Sequence, residues 1–278
     1  MKITLRGKAD SYFWKKWLRF WSHVARCCSL SVQVRDGEKR YTFRPKSNND
    51  IFRYTTYFTK EEGTLAWIRE QAKEGGVFFD IGANVGLYSL YAANAARGLR
   101  VYSFEPHKFN FATLLENIFL NQLEKSVHPV SLPLGDGSGL IDLNYNSMDS
   151  GTSMTQLGHR QLPGDREFQP KLSELVYSVT VDELVASGRV PAPDMVKIDV
   201  DGNEIPILRG MRQVLRSPDG PTSLQVEINQ GQRDEVLKLM EECQWKLDHC
   251  HFTKSGKAQF EKTKSYDLVP HNAVFVRA

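Results

Sequence analysis

The sequence predicts a doubly wound α/β fold, and three observations carry that expectation. From Val77 onward, short apolar strands alternate with helix-length amphipathic segments, the pattern that builds right-handed βαβ units on a parallel sheet. The turn Asp80-Ile81-Gly82-Ala83-Asn84-Val85-Gly86 falls where the first of these strands ends and a helix begins. Glu105 stands at the end of the second strand, 19 residues after Gly86. The 278 residues exceed an average domain, yet α/β domains of this size fold around one core.

Composition narrows the functional classes. With 41 % hydrophobic and 25 % charged residues, the chain reads as an ordinary globular protein rather than a disordered or fibrous one. A net charge of +3 is too small for a duplex-binding footprint, so no nucleic-acid partner is expected. Cys27, Cys28, Cys243 and Cys250 form no CxxC, which suggests a reducing, cytoplasmic setting without a disulfide framework. Cys243, His249, Cys250 and His251 match no common zinc spacing, and no metal is predicted there. No run of 18 apolar residues occurs, so neither a membrane span nor a cleavable signal is expected.

Residues 1–60 are read as an extension and residues 61–278 as the main domain. Within residues 11–26, Phe13, Trp17, Phe20, Trp21 and Val24 share a helical stripe, with Lys15, Lys16, Arg19 and Arg26 around it. Packing on a neighbouring domain or a second subunit is the preferred reading, with peripheral membrane contact as the alternative. The sequence leaves the oligomeric state open. Residues 31–60 read as short strands with turns: Val32, Val34, Tyr41 and Phe43 flank Asp36-Gly37, and Pro45 interrupts the residues after Phe43.

A helix over residues 61–73 leads to Gly75-Gly76. The strands VFFDI and RVYSFE come next, alternating with GLYSLYAANAA and FATLLENIFLNQLEK. Strands are expected over 127–134 and 139–145, and VYSVTVDELVASG is a strand feeding a helix that Thr180 and Glu183 cap. DMVKIDVDG is a further strand and turn. A helix over 203–216, the strand SLQVEIN, a helix over 234–243 and a last strand within HNAVFVRA complete the chain.

The glycine turn and Glu105 together describe a nucleoside site. Gly82 can adopt backbone geometry closed to other residues, and the bare Gly82 and Gly86 would let a ligand approach the main chain. Helix N–H groups would face that ligand, and Glu105 would accept from ribose hydroxyls. GxxxG spacing, with Ala83 and Asn84 between the glycines, argues against the GxGxxG of a dinucleotide site. Asp80 repels phosphate but suits a sulfonium or ammonium, which favours S-adenosyl-L-methionine over NAD.

The segments FFDIGANVGLYSLYAA, YSFEPHKFNFATLLENI, VTVDELV and VKIDVDGNEIPILRGMRQVL, in this order, resemble the FkbM family of class I methyltransferases from about Arg53 onward. The family usually carries KIDVEGAE where this chain has Lys197-Ile198-Asp199-Val200-Asp201-Gly202-Asn203-Glu204. The resemblance implies a Rossmann-like, mostly parallel seven-stranded sheet. It also implies methyl transfer from S-adenosyl-L-methionine to a hydroxyl of a glycan, glycolipid or natural product, with S-adenosyl-L-homocysteine as product. Asp80, Gly82, Asn84, Gly86 and Glu105 would then line the cofactor.

Strand alternation groups Lys197 with Asp199, and Gln225 with Glu227 and Asn229. Two polar rows on neighbouring strands of a covered sheet need partners or a cleft. Lys197, Asp199 and Glu227 are the catalytic candidates, with Asp199 or Glu227 deprotonating the acceptor hydroxyl and Lys197 holding the cluster. Asp199, Asp201, Glu227 and Asn229 could instead offer oxygen ligands to Mg²⁺, but an ordinary Asp-Gly turn accounts for them and no metal is predicted. Asp136, in Gly135-Asp136-Gly137, is a candidate acceptor for the adenine amino group. The stretch from Ser150 to about Lys171 reads as a substrate lid containing His159, a further candidate base. The competing functions are a catalytically silent nucleoside-binding scaffold and, against the glycine spacing, an NAD-dependent oxidoreductase.

Overall fold

The computed structural model describes Lys16, residues 31–162 and residues 166–278. The aromatic stripe of residues 11–26 lies, Lys16 apart, outside the described residues.

The described chain opens with the hairpin β1 (Val32–Asp36) and β2 (Lys39–Phe43), then α1 (Asn48–Thr55) and α2 (Glu62–Gln71). Helix α1 replaces the strands and turns expected up to residue 60. Ser47 starts it, because its hydroxyl accepts from the Asp50 N–H at 3.0 Å, a cap-to-third-residue bond that satisfies an otherwise orphaned donor. The Ser47/Asp50 spacing was the available signal, obscured by the proline two residues earlier.

Next come β3 (Val77–Ile81), α3 (Leu87–Ala93), β4 (Arg100–Phe104), α4 (Lys108–Leu120) and β5 (Val127–Val130). A smaller group succeeds them: β6 (Gly139–Tyr145), β7 (Gln156–Leu157), β8 (Gln161–Leu162), β9 (Arg166–Glu167) and β10 (Leu172–Ser178). The C-terminal part holds α5 (Val181–Ala186), β11 (Met195–Ile198), α6 (Glu204–Arg209), α7 (Arg212–Arg216), β12 (Ser223–Ile228), α8 (Arg233–Glu242), β13 (Trp245–His251), α9 (Lys254–Thr263) and β14 (His271–Arg277).

Seven strands form the central sheet in the order β5-β4-β3-β11-β12-β14-β13. β14 runs antiparallel to both its neighbours and the other pairings are parallel, so the doubly wound, mostly parallel sheet is as expected. Every residue of β3 and β11 is buried, because apolar clusters cover both faces. One contains Phe79, Phe104, Ile198 and Val226. The other joins Phe78, Leu90, Leu114 and Trp67 to Tyr41 and Phe43 of the hairpin.

Two further departures have local causes. The helix expected over 203–216 breaks at Gly210, where a Cβ would stand 2.0 Å from the Gly135 carbonyl oxygen. Strand β13 was not anticipated because, as a sheet edge, it exposes several of its residues and lacks an apolar run.

The chain winds outward from β3 to β5, then returns to β11 on the other side of β3. That reversal opens a crevice at the carboxyl ends of β3 and β11, where ligands of doubly wound sheets bind. The two tips touch at Gly82, whose φ is +83° and whose added Cβ would lie 1.9 Å from the Asp199 carbonyl oxygen. Gly82→Ala combines left-handed strain with a backbone clash, and is expected to cost at least about 2 kcal/mol. A thermal melt with a midpoint equal to that of the parent chain would refute this.

Candidate active site

A polar layer crosses one face of the buried sheet. In register, Ser103 lies beside Asp80, Asp80 beside Lys197, and Lys197 beside Gln225. The Lys197 ammonium, fully buried, lies 2.8 Å from Asp199 Oδ2 and 3.9 Å from Asp80 Oδ1. It also sits 4.9 Å from the centre of the Tyr88 ring. Asp80 Oδ2 accepts from Ser89, which in turn accepts from Ser103 at 2.7 Å. Asp80 is thus within the sheet, beneath the crevice rather than on its wall.

Above this layer the crevice forms two adjoining compartments that share Gly82, Asn84, Ser153, Asp199 and Asp201. The first also takes in Arg53, Lys60, Glu61, Tyr88 and Glu227. The second takes in Glu105, Pro106 and Asn110. Empty space amounts to about 710 and 370 Å³, open mouths included, the scale of small-molecule sites.

Glu105 is 5 % exposed. Its Oε2 accepts from the Asn84 N–H and its Oε1 from the His107 N–H, both at 2.8 Å. Burial nevertheless pushes its carboxyl up to about 7, against the lowering by those two N–H groups. Asn84 holds a φ of +52°. His107 caps α4 by accepting from the Asn110 N–H at Nδ1, so Nε2 carries the proton given to the Ser147 carbonyl at 2.9 Å.

The carboxylates of the first compartment differ in basicity. Burial raises Asp199, but Lys197 and, next, Lys60 outweigh it and hold the group below the usual carboxylate range. Glu227 is pushed well above that range, first by burial and then by Asp199, Asp201, Glu204 and Glu61. Asn229 donates to Glu227 at 3.4 Å. Glu227 therefore takes a proton far more readily than Asp199 does.

A strap formed by residues 150–156 spans the crevice. Asn84 and Asn110 side chains donate to the Thr152 carbonyl at 2.7 and 3.0 Å, and Arg53 Nε donates to the Gly151 carbonyl at 2.7 Å. On the other side, Asp201 accepts from the Met154 N–H, and the Gln156 side chain donates to the Asp201 carbonyl, both at 2.8 Å. Asn203 donates to Gln156 Oε1 at 2.9 Å. Both departures from the KIDVEGAE pattern, Asp201 and Asn203, thus hold the strap. Glu204 fixes the turn beneath by accepting from the Val200 and Gly202 N–H groups at 3.1 Å.

The crevice brings together Gly82, Asn84, Glu105, Asp199 and Glu227, with Lys197 directly below. Gly86 stands apart, its φ +90° and its missing Cβ directed at Leu114. Its bareness, like that of Gly82, serves close packing of the chain on itself. Asp136 and His159 line a separate hollow with Asn203 and Pro206. Arg53, Lys60, Glu61 and Tyr88 were not singled out from the sequence. Among the described residues, no group of three or more His, Cys, Asp or Glu side chains is arranged to hold a metal ion, and no helix is long and apolar enough to cross a membrane.

The sheet order is that of the class I methyltransferase fold. The Methyltransferase FkbM domain matches residues 80–247, and the chain belongs to this family. It is 30 % identical over 183 residues to the hexuronic acid methyltransferase AglP of Haloferax volcanii, covering 66 % of this chain and 68 % of that one. It is 28 % identical to the methyltransferase sdnD of Sordaria araneosa, over 60 % and 61 % of the two chains. The crystal structure of methyltransferase FkbM from Methylobacillus flagellatus aligns at 13 % identity with a TM-score of 0.43, over 84 % of this chain and 56 % of that one.

The methyl donor of this chain is S-adenosyl-L-methionine. Glu105, Asp199, Asp201 and Glu227 line the crevice, and Asp199, held ionised by Lys197 and Lys60, supplies a negative charge suited to a sulfonium or an ammonium. With ribose hydroxyls on Glu105, as proposed below, an ionised carboxylate accepts from them more strongly than the protonated form, one of whose oxygens becomes a donor. Donor affinity is therefore expected to rise as pH increases through about 7 and to level off above it. Calorimetric titration with S-adenosyl-L-homocysteine between pH 6 and pH 8.5 checks this, and a flat profile would contradict it.

Proposed function

We propose that the chain is an O-methyltransferase for a glycan or natural-product hydroxyl, with Glu227 as the general base. The observation that carries this reading is the raised basicity of Glu227 in the same compartment as Gly82 and Asp199.

The donor supplies an electrophilic methyl on a sulfonium, whose S–C bond breaks as the new O–C bond forms. Glu105, Asn84 and Gly82 would seat the nucleoside in the second compartment, leaving the first for the acceptor. Glu227, a stronger base than Asp199, would in its ionised form accept the hydroxyl proton. Asp199, kept ionised by Lys197, would orient the acceptor instead. The strap of residues 150–156 would exclude water and align the acceptor oxygen.

The name of the Haloferax relative, a hexuronic acid methyltransferase, favours a sugar acceptor. Incubation with ¹³C-methyl donor and a panel of uronic-acid and neutral glycans, read by NMR, is expected to yield a methyl ether, its methoxy carbon correlated with a sugar ring carbon and not with a carboxyl carbon as in a methyl ester. An N-methyl product, or donor left intact with every sugar, would overturn the proposal.

A further inference from the structure

We propose that the acceptor is an anionic sugar, whose negative group is held by Arg53 with Lys60. This rests on the reading of the first compartment as the acceptor side.

Both cations come from the segment around α1, and both line the first compartment but not the one holding Glu105. A sulfonium donor is itself cationic, so neither charge assists its reactive centre. Their states differ in a telling way. Lys60 is tied to Glu61 at 2.9 Å, whereas Arg53 makes no ion pair among the described residues and spends only Nε on the Gly151 carbonyl. The outer fork of the guanidinium thereby stays available at the wall of the crevice, half-buried. A planar, always charged fork is suited to the two oxygens of a carboxylate or phosphate.

The gripping residue is also tied to the strap, since Gly151 is one residue from Thr152, the carbonyl held by Asn84 and Asn110. An anion on Arg53 would thus settle next to the part of the strap that covers the donor. Lys60 also borders a second hollow with Lys257, His251 and Phe252. That hollow, which Glu62 lines as well, lies away from the donor side and would offer neighbouring sugar units Phe252 beside two lysines.

The negative group could be a carboxylate on the sugar or a phosphate on its carrier, and the test separates them. Full-length protein saturated with S-adenosyl-L-homocysteine is titrated calorimetrically with glucuronate, glucose 1-phosphate and glucose. At least one of the two anions is expected to bind about ten-fold or more tightly than glucose, with the preference shrinking as salt is added. Whichever anion is preferred identifies the source. Arg53→Gln is expected to bring the preference within about two-fold and Arg53→Lys to retain part of it. Should Arg53→Gln not fold, Lys60→Gln is expected to reduce the preference and takes its place.

Equal binding of all three sugars, binding of none, or a preference that survives Arg53→Gln and Lys60→Gln overturns the proposal. It is also overturned if Arg53→Gln weakens S-adenosyl-L-homocysteine but not 5′-methylthioadenosine, which lacks the amino-acid end. Arg53 would then hold the carboxylate of the donor. Failure of the parent chain to bind S-adenosyl-L-homocysteine at all is a separate result, which refutes the active-site reading itself.

Discussion

Glu227→Gln is expected to lower kcat by about 10²- to 10⁴-fold, the range that a positioned general base contributes, while the Kd of S-adenosyl-L-homocysteine stays within about three-fold. The amide keeps the shape of the side chain and its contact with Asn229 but cannot take the acceptor proton. Folding should survive, because the amide is neutral and adds no unpaired ion to the buried compartment. Asp199→Asn is a poorer probe of the base. It removes the nearest partner of the fully buried Lys197 and would perturb stability and turnover together. Single-turnover rates with saturating donor and acceptor decide the matter. A Glu227→Gln rate within about three-fold of the parent would assign the proton to another group or to solvent.

Glu105→Ala is expected to weaken donor binding by about 10²-fold or more. Two ribose hydroxyls donating to a carboxylate are worth about 1.5–3 kcal/mol each. The same substitution strips the Asn84 and His107 N–H groups of their acceptor, at a further cost to stability of about 1–3 kcal/mol for each buried donor. Calorimetry and thermal melting therefore report separate losses. Glu105→Gln distinguishes them, since its carbonyl can still accept one bond. It should recover part of the stability and little of the affinity. Donor binding by Glu105→Ala equal to that of the parent chain would place the nucleoside elsewhere.

Where the physics is local, the sequence was informative. VFFDI and MVKI are continuous apolar or register-bound runs because both faces of β3 and β11 are covered, and alternation along β11 and β12 correctly grouped Lys197 with its neighbours. The glycine turn was legible because Gly82 needs backbone geometry closed to other residues, as expected, and close packing on the chain itself adds a second demand. A left-handed φ at Gly82 and contact with the Asp199 backbone demand glycine, while the side chains facing the crevice come from Asn84, Glu105 and Glu227. The rest depends on contacts between distant segments: Arg53 reaches Gly151 across 98 positions, Asn84 reaches Thr152 across 68 and Asp201 reaches Met154 across 47. No periodicity encodes such pairs. For the same reason Asp136, a plausible adenine partner by its turn, joins His159 in a different hollow.

A co-crystal structure with S-adenosyl-L-homocysteine tests most directly whether one crevice holds both donor and base. The expected result is ribose on Glu105, adenine near Pro106, and sulfur facing the compartment of Glu227 beneath the 150–156 strap. Density for the nucleoside in the hollow of Asp136 and His159, or with its sulfur turned away from Glu227, would contradict it.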